Sequence, residues 1–376
     1  MPDLGKIRNE IDIIDNQILE LFERRMKLTE EVAQFKIETG KQIFDQEREI
    51  FKLQKLEDSA GNPFNARGIQ EIFRQMMSIS RKRQYQLLTE NHVEQPVDYV
   101  QVDKLPIEGA RVIFQGIEGA YTFEAMQVFF GRDIQSSHVE TWKEAMELVA
   151  EGQADYAVLP IENSTAGVVF DIYDLMAEYP NYIVGEQIIR IEHQLLGVPS
   201  AEISDIHTVY SHPQGLAQCK RYLEQYPDWE QKKVLNTAIA AKKVAEDGDR
   251  SQAAIASRTA AQYFGLKVLD NQGLSTDTNS TRFIVISNQK RFVKKAGKIS
   301  IYFELPHESG SLYNMLSHVI YNNLNMTKIE SRPIEGRNWE YRFFIDFEGN
   351  LSDAAVKNAL RGIDAEASYL RILGNY

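Results

Sequence analysis

The chain has 376 residues, 43% of them hydrophobic and 26% charged, which leaves room for two or three globular domains with a sizeable core. A net charge of −12 excludes a general nucleic-acid partner, because phosphate binding needs a basic surface. The single cysteine, Cys219, excludes an internal disulfide framework and a CxxC metal site, and no apolar run approaches the roughly 18 residues of a membrane span, so a cytoplasmic protein with small-molecule chemistry and no membrane partner is expected.

The first thirty-eight residues read as one amphipathic helix with no signal-peptide character. Leu4, Ile7, Ile11, Ile14, Ile18, Leu21, Leu28, Val32 and Phe35 recur at spacings of three and four, a heptad seam sustained over more than four repeats. Arg25 interrupts the seam, and a guanidinium in a helix interface is costly unless an anion meets it. On that helix Lys36 lies about 16 Å from Arg25 on nearly the same face, whereas Arg8 lies about 25 Å away. If all three cations serve one small ligand, Arg8 must come from a second chain. Asp3 and Gly40 are natural caps for this helix, and Asp45 caps a second, DQEREIFKLQKLED. A third is predicted over 65–89, with Ile69, Ile72, Phe73, Met76, Met77 and Ile79 as its apolar stripe. Helices of such unequal length do not close a monomeric core, and an intertwined dimer is the simplest repair.

Periodicity vanishes over 92–108, where Pro96 and Pro106 mark a linker. Beyond it strands and helices alternate: ARVIFQG, a helix over 120–130, a helix over 141–151, ADYAVLPI, YIVGEQIIRIEHQLLGV, IHTVYSH, a helix over 214–225, AAIAS with its own helix, and RFIVIS. That pattern predicts an α/β domain over 109–288, largely parallel in its sheets, with two lobes and a cleft. From 298 to 376 the order KISIYFEL, a helix SLYNMLSHVIYNN, MTKIESRPI, YRFFIDFEG, a helix over 352–362 and SYLRILGNY is βαββαβ, a ferredoxin-like small domain.

In the helical domain the polar residues that stand apart from simple surface patterning are Arg8, Arg25, Lys36, Arg48, Glu49, Ser80 and Gln84. Ser80 and Gln84 share a helix face, as do Asp45 and Glu49, although Asp45 also serves as a cap and any helix surface is rich in Lys, Arg and Glu. Four cations around a small polar cluster suit a dicarboxylate. The segments RNEIDIIDNQILELFERR, AQFK, DQERE and SISRKRQ resemble the all-helical chorismate mutase domain, in which a long first helix is shared across a domain-swapped dimer. That resemblance implies that Arg25, Arg48 and the other chain's Arg8 hold the carboxylates of chorismate, that Lys36 and Gln84 donate to the ether oxygen, and that Glu49 meets the ring hydroxyl. Such a pericyclic rearrangement needs no nucleophile, cofactor or metal.

Four turns stand out in the α/β domain: GIEGAYT (116–122), PIENST (160–165), SHPQG (211–215) and NSTRF (279–283). Each lies where a strand meets a loop, the usual ligand position in open α/β sheets. Gly116 and Gly119 lack the third glycine of a dinucleotide fingerprint, and Thr281 is also a residue that any strand favours. Together the turns resemble prephenate dehydratase, whose signatures are TRF, PIEN and HPQ. The resemblance implies two lobes like a periplasmic solute-binding protein, with the last strand crossing back to the first lobe. It puts Thr281 at proton donation to the departing hydroxide, directly or through Glu162, and places Arg282 and Phe283 beside it with Glu162, Asn163 and Gln214 around the site. The C-terminal segments ESGSLYNML and ESRP resemble a phenylalanine-binding ACT domain, implying a regulatory pocket from Gly310, Ser311, Leu312 and Tyr313 with Glu330, Ser331 and Arg332. Tyr313 stands where that family has valine.

The order of the three resemblances is that of the bifunctional P-protein family: chorismate to prephenate, then to phenylpyruvate, with phenylalanine feedback, in a homodimer or tetramer. A mutase fused to prephenate dehydrogenase is disfavoured by the missing GxGxxG. A non-enzymatic two-lobed solute-binding or sensing protein is the other reading, and it has no need of the helical cation cluster.

Overall fold

The computed structural model describes residues 3–93, 97–274, 278–305, 307–308 and 310–376. Pro96 of the expected linker and Ser309 of the expected ACT turn lie outside them. Two compact units form: Met1–Val97 with Ile301–Ile372, and Asp98–Ser300 with Leu373–Tyr376.

The chain opens with α1 (Leu4–Thr39), one uninterrupted helix. The Asp3 carboxylate accepts from the Gly5 and Lys6 amides, and Gly40 ends the helix at φ 68°, where a residue without Cβ is favoured. α2 (Gln46–Asp58) is capped by Asp45, which accepts from the Arg48 amide. α3 (Pro63–Glu90) starts from Asn62 with proline in its first turn. Within α1 only Thr29 and Ala33 are buried. The nine seam residues are 41–64% exposed, so nothing among the described residues covers the stripe.

The second unit begins with a correction to the expected linker. Residues Val100–Val102 form β1, which pairs in parallel with a short late strand. Three residues of alternating polarity are too short to register as a strand without their partner. Then follow β2 (Arg111–Gln115), α4 (Tyr121–Phe130), β3 (Gln135–Val139), α5 (Trp142–Ala150), β4 (Tyr156–Asn163), β5 (Gly167–Val168), α6 (Phe170–Glu178), β6 (Tyr182–Arg190), β7 (Gln194–Gly197) and β8 (Thr208–Ser211). The helix expected over 214–225 is broken at Cys219 into α7 (Pro213–Gln218) and α8 (Lys220–Leu223). β9 (Glu230–Lys233), α9 (Thr237–Asp247), β10 (Gln252–Ala256), α10 (Arg258–Phe264), β11 (Lys267–Asp270), β12 (Ser280–Ser287) and β13 (Arg291–Val293), the partner of β1, complete it.

Two sheets form the two lobes, one in the order β6-β12-β4-β2-β3 and the other β11-β7-β10-β8-β9. Each has a parallel part, β3-β2-β4 and β10-β8-β9. They are less parallel than expected: β12 runs antiparallel to both β4 and β6, and β7 antiparallel to β10 and β11. The chain returns along β12 to the first lobe after completing the second, and a returning strand can enter an existing sheet in either direction. Val112, Phe114, Phe123, Met126, Val158 and Val285 pack the first lobe; Leu196, Ala240, Val244 and Ala254 pack one face of the second.

β14 (Lys298–Glu304), α11 (Ser311–Tyr321), β15 (Met326–Pro333), β16 (Tyr341–Glu348), α12 (Ala354–Glu366) and β17 (Tyr369–Asn375) follow in the expected βαββαβ order. Within the first unit α12 packs on α11 and also on α3. Ion pairs and hydrogen bonds tie these elements together: Arg81 to Glu366, Lys82 to Ser317, and Thr89 to Asn358.

Candidate active sites

The helical site assembles on α1, α2 and α3. Arg25 donates to Ser80 Oγ and, at 3.1 Å, to the Met76 carbonyl, while Ser80 donates to the same carbonyl at 2.7 Å. Burial pushes the Arg25 guanidinium below its ordinary pKa against the pull of Glu49. Lys36 reaches the Ile43 carbonyl at 2.6 Å, and burial lowers its pKa while Asp45 and Glu49 oppose the shift. Gln84 is buried and donates to the Ser80 carbonyl at 3.3 Å, leaving its Oε1 without a hydrogen-bond partner among the described residues. Turning that amide over puts a donor at the same place. Arg48 is exposed on the first turn of α2, and Asp45 is occupied as its cap. Arg25, Lys36, Glu49, Ser80 and Gln84 therefore come together within one chain. Arg8 does not join them, because α1 is continuous and the offset of seventeen positions from Arg8 to Arg25 keeps them about 25 Å apart.

Sequence reasoning passed over Arg81, next to Ser80. Its guanidinium is buried, donates to Glu49 Oε1 at 2.6 Å and to Glu366 Oε1 at 2.8 Å, and lies 4.8 Å from the centre of the Phe44 ring.

In the second unit, antiparallel pairing sets Thr281 opposite Asn163 and Arg282 opposite Glu162. A bulge between Arg282 and Phe283 skips one residue of β4 and re-aims the strand end. Side chains alternate across a strand, so Thr281 and Asn163 share one face, with Arg282 and Glu162 on the other. Arg282 sits between Glu162 and Glu186, 3.7 Å from each, and Lys298 meets Glu186 at 2.6 Å. Phe283 is buried in the lobe core. Gln214 is exposed on the first turn of α7.

The Asn163 carbonyl oxygen accepts from the Thr165 and Ala166 amides and from Thr165 Oγ1, which fixes its orientation. Its amino group then donates to Thr281 Oγ1 and to Asn279 Oδ1, both at 2.9 Å. Thr165, having spent its proton on Asn163, accepts from Gln218 Nε2 at 2.9 Å. Gln218 Oε1 therefore accepts from His193 Nε2 at 2.9 Å, and His193 Nδ1 accepts from the Tyr121 hydroxyl at 3.1 Å. Burial lowers the His193 pKa and so favours the neutral ring, while its two hydrogen-bond partners select the tautomer. The chain runs from Tyr121 to Thr281 with every donor pointing toward Thr281. Since Thr281 accepts from Asn163, its own proton is free to be aimed elsewhere. Tyr121, Thr165 and Asn279 lie within the four turns without standing out there, and Gln218 is one helical turn beyond Gln214; His193, between β6 and β7, has no signal in the sequence beyond its residue type. Around the turn over 116–119, Gly119 has φ 86°, and a Cβ there would come within 3.0 Å of Ala260 Cα. Its carbonyl accepts from Ser257 Oγ at 2.9 Å.

In the first unit, Ser311 and Leu312 line a cavity of about 130 Å³ together with Glu308, Trp339 and Phe343. Gly310, at φ 85°, precedes α11 and Tyr313 is exposed. Glu330, Ser331 and Arg332 lie on β15, outside this lining.

A cation-rich helical site in one unit and a polarised threonine in a two-lobed unit define a multidomain enzyme of small anionic substrates. Residues 7–85 match the family chorismate mutase type II, and residues 112–291 match prephenate dehydratase. The bifunctional chorismate mutase/prephenate dehydratase of Escherichia coli (strain K12) is 31% identical over 376 residues, spanning 98% of this chain and 95% of that one. The chain belongs to the bifunctional chorismate mutase/prephenate dehydratase family. Among solved structures, the prephenate dehydratase of Arthrobacter aurescens in complex with L-Phe superposes with a TM-score of 0.66 at 31% identity, covering 71% of this chain and 89% of that one. GqqA, described as a novel type of quorum quenching acylases, superposes at 0.64 with 30% identity, covering 70% and 96%.

Proposed function

We propose that the chain rearranges chorismate to prephenate in the helical domain and converts prephenate to phenylpyruvate in the two-lobed domain, under control of phenylalanine. The observation that carries the reading is that one polypeptide combines the Arg25–Ser80 site beside Glu49 with a Thr281 hydroxyl held by Asn163. In the mutase step Arg25, Arg48 and a second chain's Arg8 hold the carboxylates, Lys36 and Gln84 donate to the ether oxygen as negative charge grows there, and Glu49 accepts from the ring hydroxyl. No covalent intermediate is needed, since holding the near-attack conformer and matching the developing charge lower the barrier. The exposed apolar stripe of α1 supports the sharing of Arg8 in an intertwined homodimer. In the dehydratase step the ring loses carbon dioxide and hydroxide, and Thr281 delivers the proton with which the hydroxide leaves as water. Aromaticity supplies the driving force, so a weak acid in the right place suffices.

The C-terminal βαββαβ domain is read as an ACT domain that takes phenylalanine at the turn before α11. The adjoining cavity, lined by Glu308 and the rings of Trp339 and Phe343, suits an ammonium and an aromatic side chain, with Glu330–Arg332 supplied across a subunit interface. The decisive assay follows chorismate spectroscopically with no cofactor added. Appearance of phenylpyruvate is expected; strict dependence on a nicotinamide, or no turnover, refutes the reading.

A further inference from the structure

We propose that Arg81 is a positioning residue for Glu49 and the link through which the C-terminal domain acts on the mutase site; this rests on the reading of Glu49 as the group that meets the ring hydroxyl of chorismate. Arg81 gives one nitrogen to Glu49 of α2 and another to Glu366, the last residue of α12. Its side chain is 7% exposed and that of Glu366 8%, so neither charge can turn to solvent when the other moves. A buried guanidinium shared by two carboxylates is held to both.

The far end of the link is just as tightly held. Glu366 also accepts from Nε2 of the fully buried His318 at 3.0 Å. Burial alone would raise the Glu366 pKa, but His318 and Arg81 outweigh it and hold the carboxylate below its usual range. His318 fits only because residue 362 has no side chain: a Cβ on Gly362 would lie 2.2 Å from His318 Nδ1. The neighbouring Ser317 accepts from Lys82 at 2.8 Å, giving α11 a second hold on α3 beside Arg81. The first turn of α11 borders the cavity of about 130 Å³ through Ser311 and Leu312. A ligand there acts on the helix that carries Ser317 and His318, and any shift passes to Glu366, to Arg81 and so to Glu49. The two ends of the ion pair network are 317 residues apart in sequence, Glu49 to Glu366, yet share one cation.

The test uses the full-length enzyme and the variant Glu366→Gln, which alters no group expected to touch either substrate. Removing that charge leaves Arg81 to Glu49 alone and weakens Glu49 as an acceptor. KM for chorismate is expected to rise roughly 3- to 10-fold with kcat changed less than about 2-fold, and turnover of supplied prephenate to stay unchanged. In a Glu49→Gln background the same substitution should have no further effect on KM. Phenylalanine should change the mutase KM of the parent enzyme and not that of Glu366→Gln. Unaltered mutase constants in Glu366→Gln, or an equal loss in the Glu49→Gln background, overturn the proposal. If Glu366→Gln fails to fold, judged by loss of the parent's cooperative thermal transition, Arg81→Lys decides on the same KM criterion, since lysine keeps the charge but cannot bridge both carboxylates. Absence of any mutase activity in the parent enzyme would refute the reading of the site instead.

Discussion

Asn163→Asp tests the polarity of the hydrogen-bonded chain that ends at Thr281. The change is nearly isosteric and keeps the oxygen that accepts from the Thr165 and Ala166 amides. It replaces the donor facing Thr281 Oγ1 and Asn279 Oδ1, each at 2.9 Å, by an acceptor. Thr281 then donates to residue 163 and its proton is withdrawn from the substrate side, while Asn279 is left facing a second oxygen. Two inverted hydrogen bonds in a buried setting cost about 2–4 kcal/mol in the transition state. At about 1.4 kcal/mol per decade that is a fall in dehydratase kcat of roughly 30- to 1000-fold. The assay is prephenate turnover, with chorismate mutase activity of the same preparation as the standard for enzyme concentration and the thermal unfolding profile as the standard for folding. Burial raises a carboxylate pKa, and the introduced carboxyl is again a donor once protonated, so part of the loss should return as pH is lowered. Retention of dehydratase kcat within about threefold at neutral pH refutes the argument that Asn163 sets the direction of the Thr281 proton.

Three further expectations follow from the geometry. Mixing chains that carry Arg8→Ala with chains that carry Arg25→Ala should restore mutase activity to about a quarter of sites in random dimers, because the spacing along α1 requires the two arginines of a site to come from different chains; no recovery in confirmed mixed dimers counts against sharing. Burial depresses the His193 pKa below its ordinary 6.5, so the stability contributed by neutral His193 is fully present above that value and is lost as pH falls below it. The thermal midpoint should therefore drop more between about pH 7 and pH 5 in the parent than in His193→Gln. Gly362→Ala puts a methyl against His318 and should cost about 1–3 kcal/mol, read as a lowered denaturation midpoint; an unchanged midpoint would show that His318 is free to move aside.

Sequence periodicity carried the helical domain almost whole. The seam of α1, its caps Asp3 and Gly40, and Asp45 before α2 are local features, visible because each depends on residues within a few positions. The alternation of strand and helix and the final βαββαβ order were legible for the same reason. Strands with polar sequences were not. β3, QSSHV, and β9, EQKK, lie at sheet edges with mostly exposed side chains, so no hydrophobic alternation marks them. The antiparallel entry of β12 was equally hidden, since strand direction is a property of the partner and not of the strand.

Resemblance supplied the roles of Thr281, Asn163 and Glu49, whose residue types alone left each open to a plainer structural role, whereas Arg25 stood out by its place in the heptad seam. What the sequence by itself determined is therefore the set of domains and the groups that each can offer to an anionic substrate. Tertiary structure decided which groups meet. It put Thr281 on the opposite sheet face from Arg282 and Glu162, joined it to His193 and Tyr121 through Asn163, Thr165 and Gln218, and brought Glu366 to Arg81 across 285 residues of chain. Hydrogen bonds and ion pairs of this kind are set by distances of about 3 Å between groups far apart in sequence, and only packing fixes those.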